Sequence, residues 1–187
     1  RADNPPVAGA AGEVRIETGE LTSFSRPDME DICDAAEAAI RGGGGFGWLS
    51  PPPRQTLESF WRGVVLVPER LLIVGRLDGV IASSVQIVKP PRNNEAQAFA
   101  CHFTTFFVAP WARGHGLSKA VIECAEARAR AAGFSQANLD VRATQERAIQ
   151  IFEDLKYNRF GENPRYALVD GAPVAGYFYY RTCDRNN

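Results

Sequence analysis

One stretch of the sequence, residues 98–141, limits the fold more than any other. Ala98–Val108 is a long apolar run typical of a buried strand, Leu117–Ala132 is an alanine-rich run typical of a helix, and Ala137–Val141 predicts another strand. Gly133 follows the helical run and is expected to end it. Two strands joined by a helix pair in parallel within one sheet. We therefore expect a parallel strand pair at this point of the fold.

The sequence just before this stretch predicts the opposite pairing. Leu71–Leu77 and Val80–Val88 are apolar runs separated by Asp78-Gly79, and such a dipeptide between apolar runs is a strong hairpin signal. The sheet should therefore be mixed. The remaining elements are a strand near Ile16, helices around residues 25–41, 57–64 and 148–155, and two closing strands around Asp170-Gly171. We predict a single α/β domain over residues 13–187, with helices on both faces of the sheet and a flexible tail over residues 1–12.

Composition narrows the class of protein. The chain has 187 residues, 45% of them hydrophobic, so one domain can fold without disulfides or metals. The 21 basic and 22 acidic residues leave no surplus for general nucleic-acid binding, and no run of 18 apolar residues predicts a membrane span. The start of the sequence has no signal-peptide pattern. The four cysteines, Cys33, Cys101, Cys124 and Cys183, fit no zinc spacing, which favours reduced thiols, no metal site and a cytoplasmic protein.

The loop between the long strand and the helix carries the clearest functional signal. Gly114 and Gly116 let the backbone approach a ligand closely, Arg113 adds a positive charge, and the free N–H groups of the following helix start suit a pyrophosphate. A plain structural turn is one alternative. A dinucleotide-binding fold is another, because Asp140 lies near the next strand; however, Lys119 stands where its G-x-G-x-x-G fingerprint needs glycine.

The loop resembles the Q/R-x-x-G-x-G/A signature of the GNAT superfamily of acyl-CoA-dependent N-acyltransferases, with Arg113, Gly116 and Ser118 at its fixed places. The preceding Phe106–Pro110 and the following Ala148–Tyr157 resemble the family's strand end and its next helix. The resemblance runs from about Val14 to Cys183. Its nearest pattern is the tabtoxin-resistance acetyltransferase group, through features that include Gly45-Phe46-Gly47, Trp61, Leu139-Asp140, Glu162-Asn163-Pro164 and Tyr166.

The resemblance implies a GNAT-like fold with splayed central strands. It also implies direct transfer of acetyl from acetyl-CoA to a primary amine, expected to belong to a small molecule. Phe106 and Val108 would bind the pantetheine arm, and Gln145 stands where the family often has an asparagine that contacts CoA. Phe152 replaces a tyrosine that protonates the leaving thiolate, which keeps a non-catalytic acyl-CoA-binding module open as an alternative. The pyrophosphate would lie against Arg113, Gly114, His115, Gly116, Leu117 and Ser118.

The same resemblance suggests residues around the acceptor. Counting back by twos from Val108 predicts that Phe106, Thr104 and His102 share one face of the strand, and some family members carry their general base where His102 stands. A strand bulge would change this face. Asp140 would orient His102 or bind the substrate ammonium, unless it only caps the strand. Phe46 and Trp48 would wall the acceptor pocket as a mobile lid, with Thr104 beside it, whereas Trp61 is expected in the core. The aromatic closing strand would also allow a homodimer.

Overall fold

The order of helices and strands agrees with the prediction. The structure is a computed structural model that describes residues 12–183, so most of the predicted tail lies outside the described residues. In chain order the elements are β1 (Ile16–Leu21), α1 (Arg26–Arg41), α2 (Arg54–Leu66), β2 (Arg70–Leu77), β3 (Val80–Val88), β4 (Ala100–Val108), α3 (Leu117–Ala131), β5 (Gln136–Arg142), α4 (Glu146–Asp154), β6 (Asn158–Val169) and β7 (Ala172–Thr182). Short 3₁₀ turns precede and follow β4. Within residues 12–183, no helix is long and apolar enough to cross a bilayer.

Local sequence signals account for several element ends. Ser25 caps α1, and its hydroxyl accepts a hydrogen bond from the Asp28 backbone N–H at 3.2 Å. Asp78 and Gly79 have φ angles of 49° and 85°, as the predicted hairpin turn requires. Asp170 and Gly171 repeat this conformation, with φ angles of 51° and 80°. The two hairpins are therefore fixed by residues adjacent in the chain.

The seven described strands form one mixed sheet in the order β1-β2-β3-β4-β5-β7-β6. Among these strands, β4 and β5 are the parallel pair and the other neighbours are antiparallel. Residues Ile81–Ile87 of β3 are all buried, so helices cover both faces of the sheet there. The mixed α/β architecture is confirmed. A dinucleotide-binding fold needs a largely parallel sheet, so the topology excludes that alternative.

The two central strands separate towards their carboxyl ends. β5 pairs with β4 only over Ala100–His102, and the two strands then diverge. The predicted splay is therefore present. Between Thr104 and Phe107, β4 also carries one extra residue relative to β3, and Thr105 has a φ angle of 53°.

Because of this bulge, the residues of β4 that share a face differ from the predicted ones. The register pairs His102, Thr104 and Phe107 with Val88, Gln86 and Ser84, which alternate along one face of β3. Phe103 and Val108 pair with residues of the opposite face. The expectation that simple alternation places His102 and Val108 on one face is therefore wrong, because the extra residue reverses the alternation after Thr104.

Gly75 offers a stability test for the packing of α3 against the sheet. A Cβ atom there would lie 2.4 Å from Val121 Cγ2 and 2.8 Å from Leu117 Cδ1. We expect Gly75→Ala to lower the free energy of unfolding by about 1–3 kcal/mol, because the neighbouring side chains must shift. Urea unfolding measures this loss. Gly19→Ala on the adjacent strand is the matched control, since its Cβ meets no atom within 4 Å; equal losses for both variants would contradict the packing argument.

Candidate active site

A cavity of about 490 Å³ lies beside the carboxyl end of β4. Its wall combines the end of β4, the loop into α3, the start of α4 and the glycine run that follows α1. Six predicted cofactor residues line it: Phe106, Val108, Arg113, Gly114, Ser118 and Gln145. The sequence analysis did not anticipate three other parts of the wall, which are Gly42–Gly45, Thr144 and Arg147.

The loop into α3 has the backbone geometry of an anion site. Gly114 and Gly116 have φ angles of 86° and 80°, which L side chains rarely adopt, and a Cβ added at either position meets no protein atom within 4 Å. Gly116 is the N-cap of α3, so the N–H groups of the first turn lack helical acceptors. His115, Gly116 and Leu117 belong to this loop and turn but do not line the cavity, and the Leu117 side chain is buried.

Two arginines add positive charge to this cavity. Arg113 and Arg147 both line it, and within the described part of the chain neither forms an ion pair with a carboxylate. Partial burial, followed by the nearby charge of Arg147, lowers the pKa of Arg113. Glu146 also lines this cavity but forms an ion pair with neither arginine. The two guanidinium groups beside a helix N-terminus suit a phosphate-bearing ligand.

A second cavity of about 510 Å³ adjoins the first. Gly45, Phe106, Gln145 and Ala148 contribute to the walls of both cavities, so these residues mark the junction between them. The second cavity lies in the splay between β4 and β5, under the loop that follows α1. Phe46, Thr104, Asp140 and Phe152, all predicted site residues, line it. Tyr166, which belongs to the family resemblance, also lines it. Arg142, Leu49 and Leu168 line it too and were not predicted.

The loop that joins α1 to α2 is held close to the strand. Gly45 has a φ angle of 80°, and a Cβ there would lie 2.7 Å from Phe107 Cβ and 2.9 Å from the Phe106 carbonyl oxygen. The Phe46 ring is buried, 5.0 Å from the Phe107 ring and 6.1 Å from the Trp61 ring. The mobile lid expected for Phe46 is therefore wrong, because its ring belongs to the core.

Trp48 does not take the place predicted for it. It lines neither cavity, and its ring packs at 5.2 Å against Phe60, behind Phe46. Trp61 is fully buried, as expected.

Asp140 is the centre of a hydrogen-bonded group beside the second cavity. His102 Nε2 lies 3.0 Å from Asp140 Oδ1, and the Tyr166 hydroxyl donates to Asp140 Oδ2. The hydrogen bond from His102, supported by that from Tyr166, lowers the pKa of Asp140 despite its burial. Asp140 therefore stays ionised at neutral pH. His102 itself lines neither cavity and contacts Asp140, which lines the second one.

Tyr166 reaches this group because β6 is irregular. Between Asn163 and Ala167 the strand carries two extra residues relative to β7, and Gly176 leaves room for the ring: a Cβ there would lie 2.1 Å from Tyr166 Cγ. Burial and the adjacent Asp140 carboxylate raise the pKa of the Tyr166 phenol. Its proton is therefore held by Asp140 and is poorly suited to a leaving thiolate.

Phe152 lines the second cavity next to Phe106, which contributes to the walls of both cavities. Its ring is buried at the wall of the second cavity, 5.5 Å from the Phe106 ring and 5.3 Å from the Tyr157 ring. Tyr157 is deeply buried behind it and does not line either cavity. Of the five tyrosines in the chain, Tyr166 alone lines a cavity at this junction.

Comparisons with known proteins agree with this geometry. The model of the acetyltransferase (GNAT) family matches residues 30–157. An uncharacterized N-acetyltransferase encoded in the hisH–hisA intergenic region of Azospirillum brasilense is 61% identical over 127 residues, which cover 68% of this chain and 76% of that protein. The chain belongs to the GNAT family of acetyltransferases, and the sequence-based resemblance is confirmed at this level.

Solved structures share the fold. An N-acetyltransferase from Staphylococcus aureus Mu50 superposes with a TM-score of 0.74 at 14% identity, over 92% of this chain and 99% of that one. A phosphinothricin acetyltransferase from Sinorhizobium meliloti, solved with AcCoA, has a TM-score of 0.72 at 17% identity, over 89% and 88% of the two chains. The protein is thus an acetyltransferase of this family.

Proposed function

We propose that this enzyme acetylates the primary amine of a small molecule held in the second cavity, with His102 receiving the amine proton and Asp140 supporting His102. The observation that carries the proposal is the Asp140–His102 contact of 3.0 Å at the wall of a cavity that shares Gly45, Phe106, Gln145 and Ala148 with the cofactor cavity. A volume of about 510 Å³ is in the range of small-molecule sites.

The first cavity fits the phosphate-bearing part of acetyl-CoA. Open space at Gly114 and Gly116, the N-terminus of α3 and the guanidinium groups of Arg113 and Arg147 offer donors and positive charge to the pyrophosphate. The pantetheine arm would follow β4 past Val108 to Phe106. The thioester would then lie at the junction of the two cavities, beside Phe152.

The chemistry follows from the two groups at the second cavity. The amine attacks the thioester carbonyl as the neutral base, the C–S bond breaks, and CoA leaves as a thiolate. Asp140 is a poor proton acceptor because its pKa is lowered. It instead binds the ammonium group and stabilises the imidazolium that forms when His102 takes the proton, directly or through one water. A thiol has a pKa of about 8.5, so the thiolate can leave without a strong acid.

The proposal is tested by measuring free CoA thiol released from acetyl-CoA in the presence of a panel of primary amines. We expect release with one or more small amines and none with tertiary amines, which carry no proton to lose. The same assay with a lysine-containing peptide tests the rival acceptor class. Release with the peptide and none with any small amine would overturn the assignment.

Phe152→Tyr tests the position of the missing hydroxyl. We expect single-turnover acetyl transfer to accelerate by up to about 10-fold, since general-acid help matters less for a good leaving group, while acetyl-CoA affinity stays the same. Tyr157→Phe is the control, because it removes a hydroxyl from the ring that packs against Phe152. Its hydroxyl has no hydrogen-bond partner in the described part of the chain, so this variant should gain stability and leave transfer unaltered. Unchanged transfer in Phe152→Tyr would place the hydroxyl away from the sulfur.

A further inference from the structure

The second cavity carries two opposite charges that do not neutralise each other. Asp140 and Arg142 both line it, and both belong to the less buried face of β5, on which residues alternate with the buried Leu139 and Val141. They are two residues apart, or about 6–7 Å along a strand. Among the described residues, Asp140 forms its ion pair with His102, and Arg142 forms none.

Neutral groups hold Arg142 in place. Its Nη2 donates to the Phe46 carbonyl oxygen at 3.0 Å, and the Gln145 amide, with its oxygen turned towards neighbouring donors, accepts from Arg142 Nε at 3.2 Å. The same amide oxygen accepts from the Gly45 backbone N–H at 3.3 Å. These contacts fix the plane of the guanidinium without cancelling its charge. Within the described chain, Nη1 has no hydrogen-bond partner.

Among residues 12–183, the rest of this wall contains no other cation. Its other residues are mostly apolar or aromatic, and its further polar groups, Thr104, Thr105, Gln145 and the phenol of Tyr166, are neutral. The charge of Arg142 also opposes the increase in the pKa of the Tyr166 phenol, so this charge lies near Tyr166 in the second cavity. A partly buried guanidinium in such a wall prefers a carboxylate or a similar anion.

The geometry points to an acceptor that carries both charges, an α-amino acid whose carboxylate binds Arg142 while its amino group lies beside Asp140. This inference rests on the proposed function and deepens it. An α-amino acid holds its two charged groups on one carbon, and that close spacing suits two side chains that rise from one strand face two residues apart. The substrate side chain would contact the apolar wall around Leu49 and Leu168.

The experiment compares acids with their neutral counterparts. The standard L-amino acids, their carboxamides and the corresponding amines without the carboxyl group serve as acceptors in the thiol-release assay. We expect kcat/KM for the preferred amino acid to exceed that for its carboxamide by about 10- to 100-fold, the magnitude of a charge-assisted contact in a partly buried site. A ratio of one or less in the parent enzyme would overturn the inference.

Arg142→Gln then tests whether Arg142 is the group that distinguishes amino acids from their carboxamides. The acid-to-carboxamide ratio should fall towards one in this variant, whichever way the separate rates move, because the carboxylate has lost its partner. If Arg142 only supports the loop through Phe46, both acceptors should lose rate equally and the ratio should survive, which would also overturn the inference. Arg62→Gln, on an exposed part of α2 outside both cavities, is the control for loss of one positive charge and should keep the parent ratio.

The outcomes separate this inference from the proposed function. If amines without a carboxyl group are acetylated and amino acids are not, the transfer reaction stands and the zwitterionic acceptor is wrong. If no primary amine of any series releases thiol, the proposed function itself fails.

Discussion

His102→Gln is expected to lower kcat by about 10²- to 10⁴-fold, the usual contribution of a general base. Glutamine keeps a side-chain donor for Asp140, which lies 3.0 Å from His102 Nε2, but it cannot take up a proton. Acetyl-CoA affinity should stay at the parent value, because His102 lines neither cavity. Steady-state rates and a cofactor titration measure the two quantities separately.

The pH profile gives this prediction a second readout. A general base acts only in its deprotonated form, so the profiles of rate against pH for the parent and for His102→Gln should differ in shape. Asp140 does not account for such a difference, because its lowered pKa keeps it ionised as the pH rises. Superimposable profiles for parent and variant would remove His102 from the mechanism.

Gly116→Val is expected to weaken acetyl-CoA binding by roughly 10²-fold or more. Gly116 lies between Gly114 and Ser118, which line the first cavity, so its side chain would extend into the open space offered to the pyrophosphate and block hydrogen bonds from the N-terminus of α3. A Cβ at Gly116 meets no protein atom within 4 Å, so the protein itself does not oppose the added bulk. Equilibrium titration with acetyl-CoA measures the loss.

Backbone strain in this variant needs its own control. Gly116 has a φ angle of 80°, and a valine there costs about 1–3 kcal/mol of stability. Gly79→Val imposes the same strain at a φ angle of 85°, with open space around its Cβ, in a hairpin turn outside both cavities. This control should lose stability and keep its affinity for acetyl-CoA. Parallel losses of affinity in both variants would mean that strain, and not ligand contact, explains the effect.

The loop before α3 could be predicted from the sequence more fully than the position of His102. The conformation of the loop from Arg113 to Ser118 could be predicted, because its glycines and the start of α3 are adjacent in the chain. His102 was proposed from a count along β4 that the bulge at Thr105 invalidates. It still lies next to the second cavity because Asp140, on the neighbouring strand, lines that cavity and contacts His102.

Arg142 was not predicted, and Tyr166 was named only through the family resemblance. An arginine at a strand end and a tyrosine within a strand carry no local signal of a place in a site. Among the described residues, Arg142 keeps a charge without an ion pair because Asp140 pairs with His102. Tyr166 reaches Asp140 because β6 is irregular and Gly176 has no side chain in the path of the ring. Each of these conditions depends on residues far apart in the chain.

The sequence by itself determined the order of helices and strands, the hairpin turns at Asp78 and Asp170, the cap at Ser25 and the conformation of the glycine-containing loop before α3. These features depend on backbone preferences and hydrogen bonds within a few residues. The tertiary structure alone decided the bulge in β4, the burial of Phe46 and the pairing of Asp140 with His102 rather than with Arg142. Those features arise from strand register and from packing between distant segments, and a shift of one residue in register moves a side chain to the other face of the sheet.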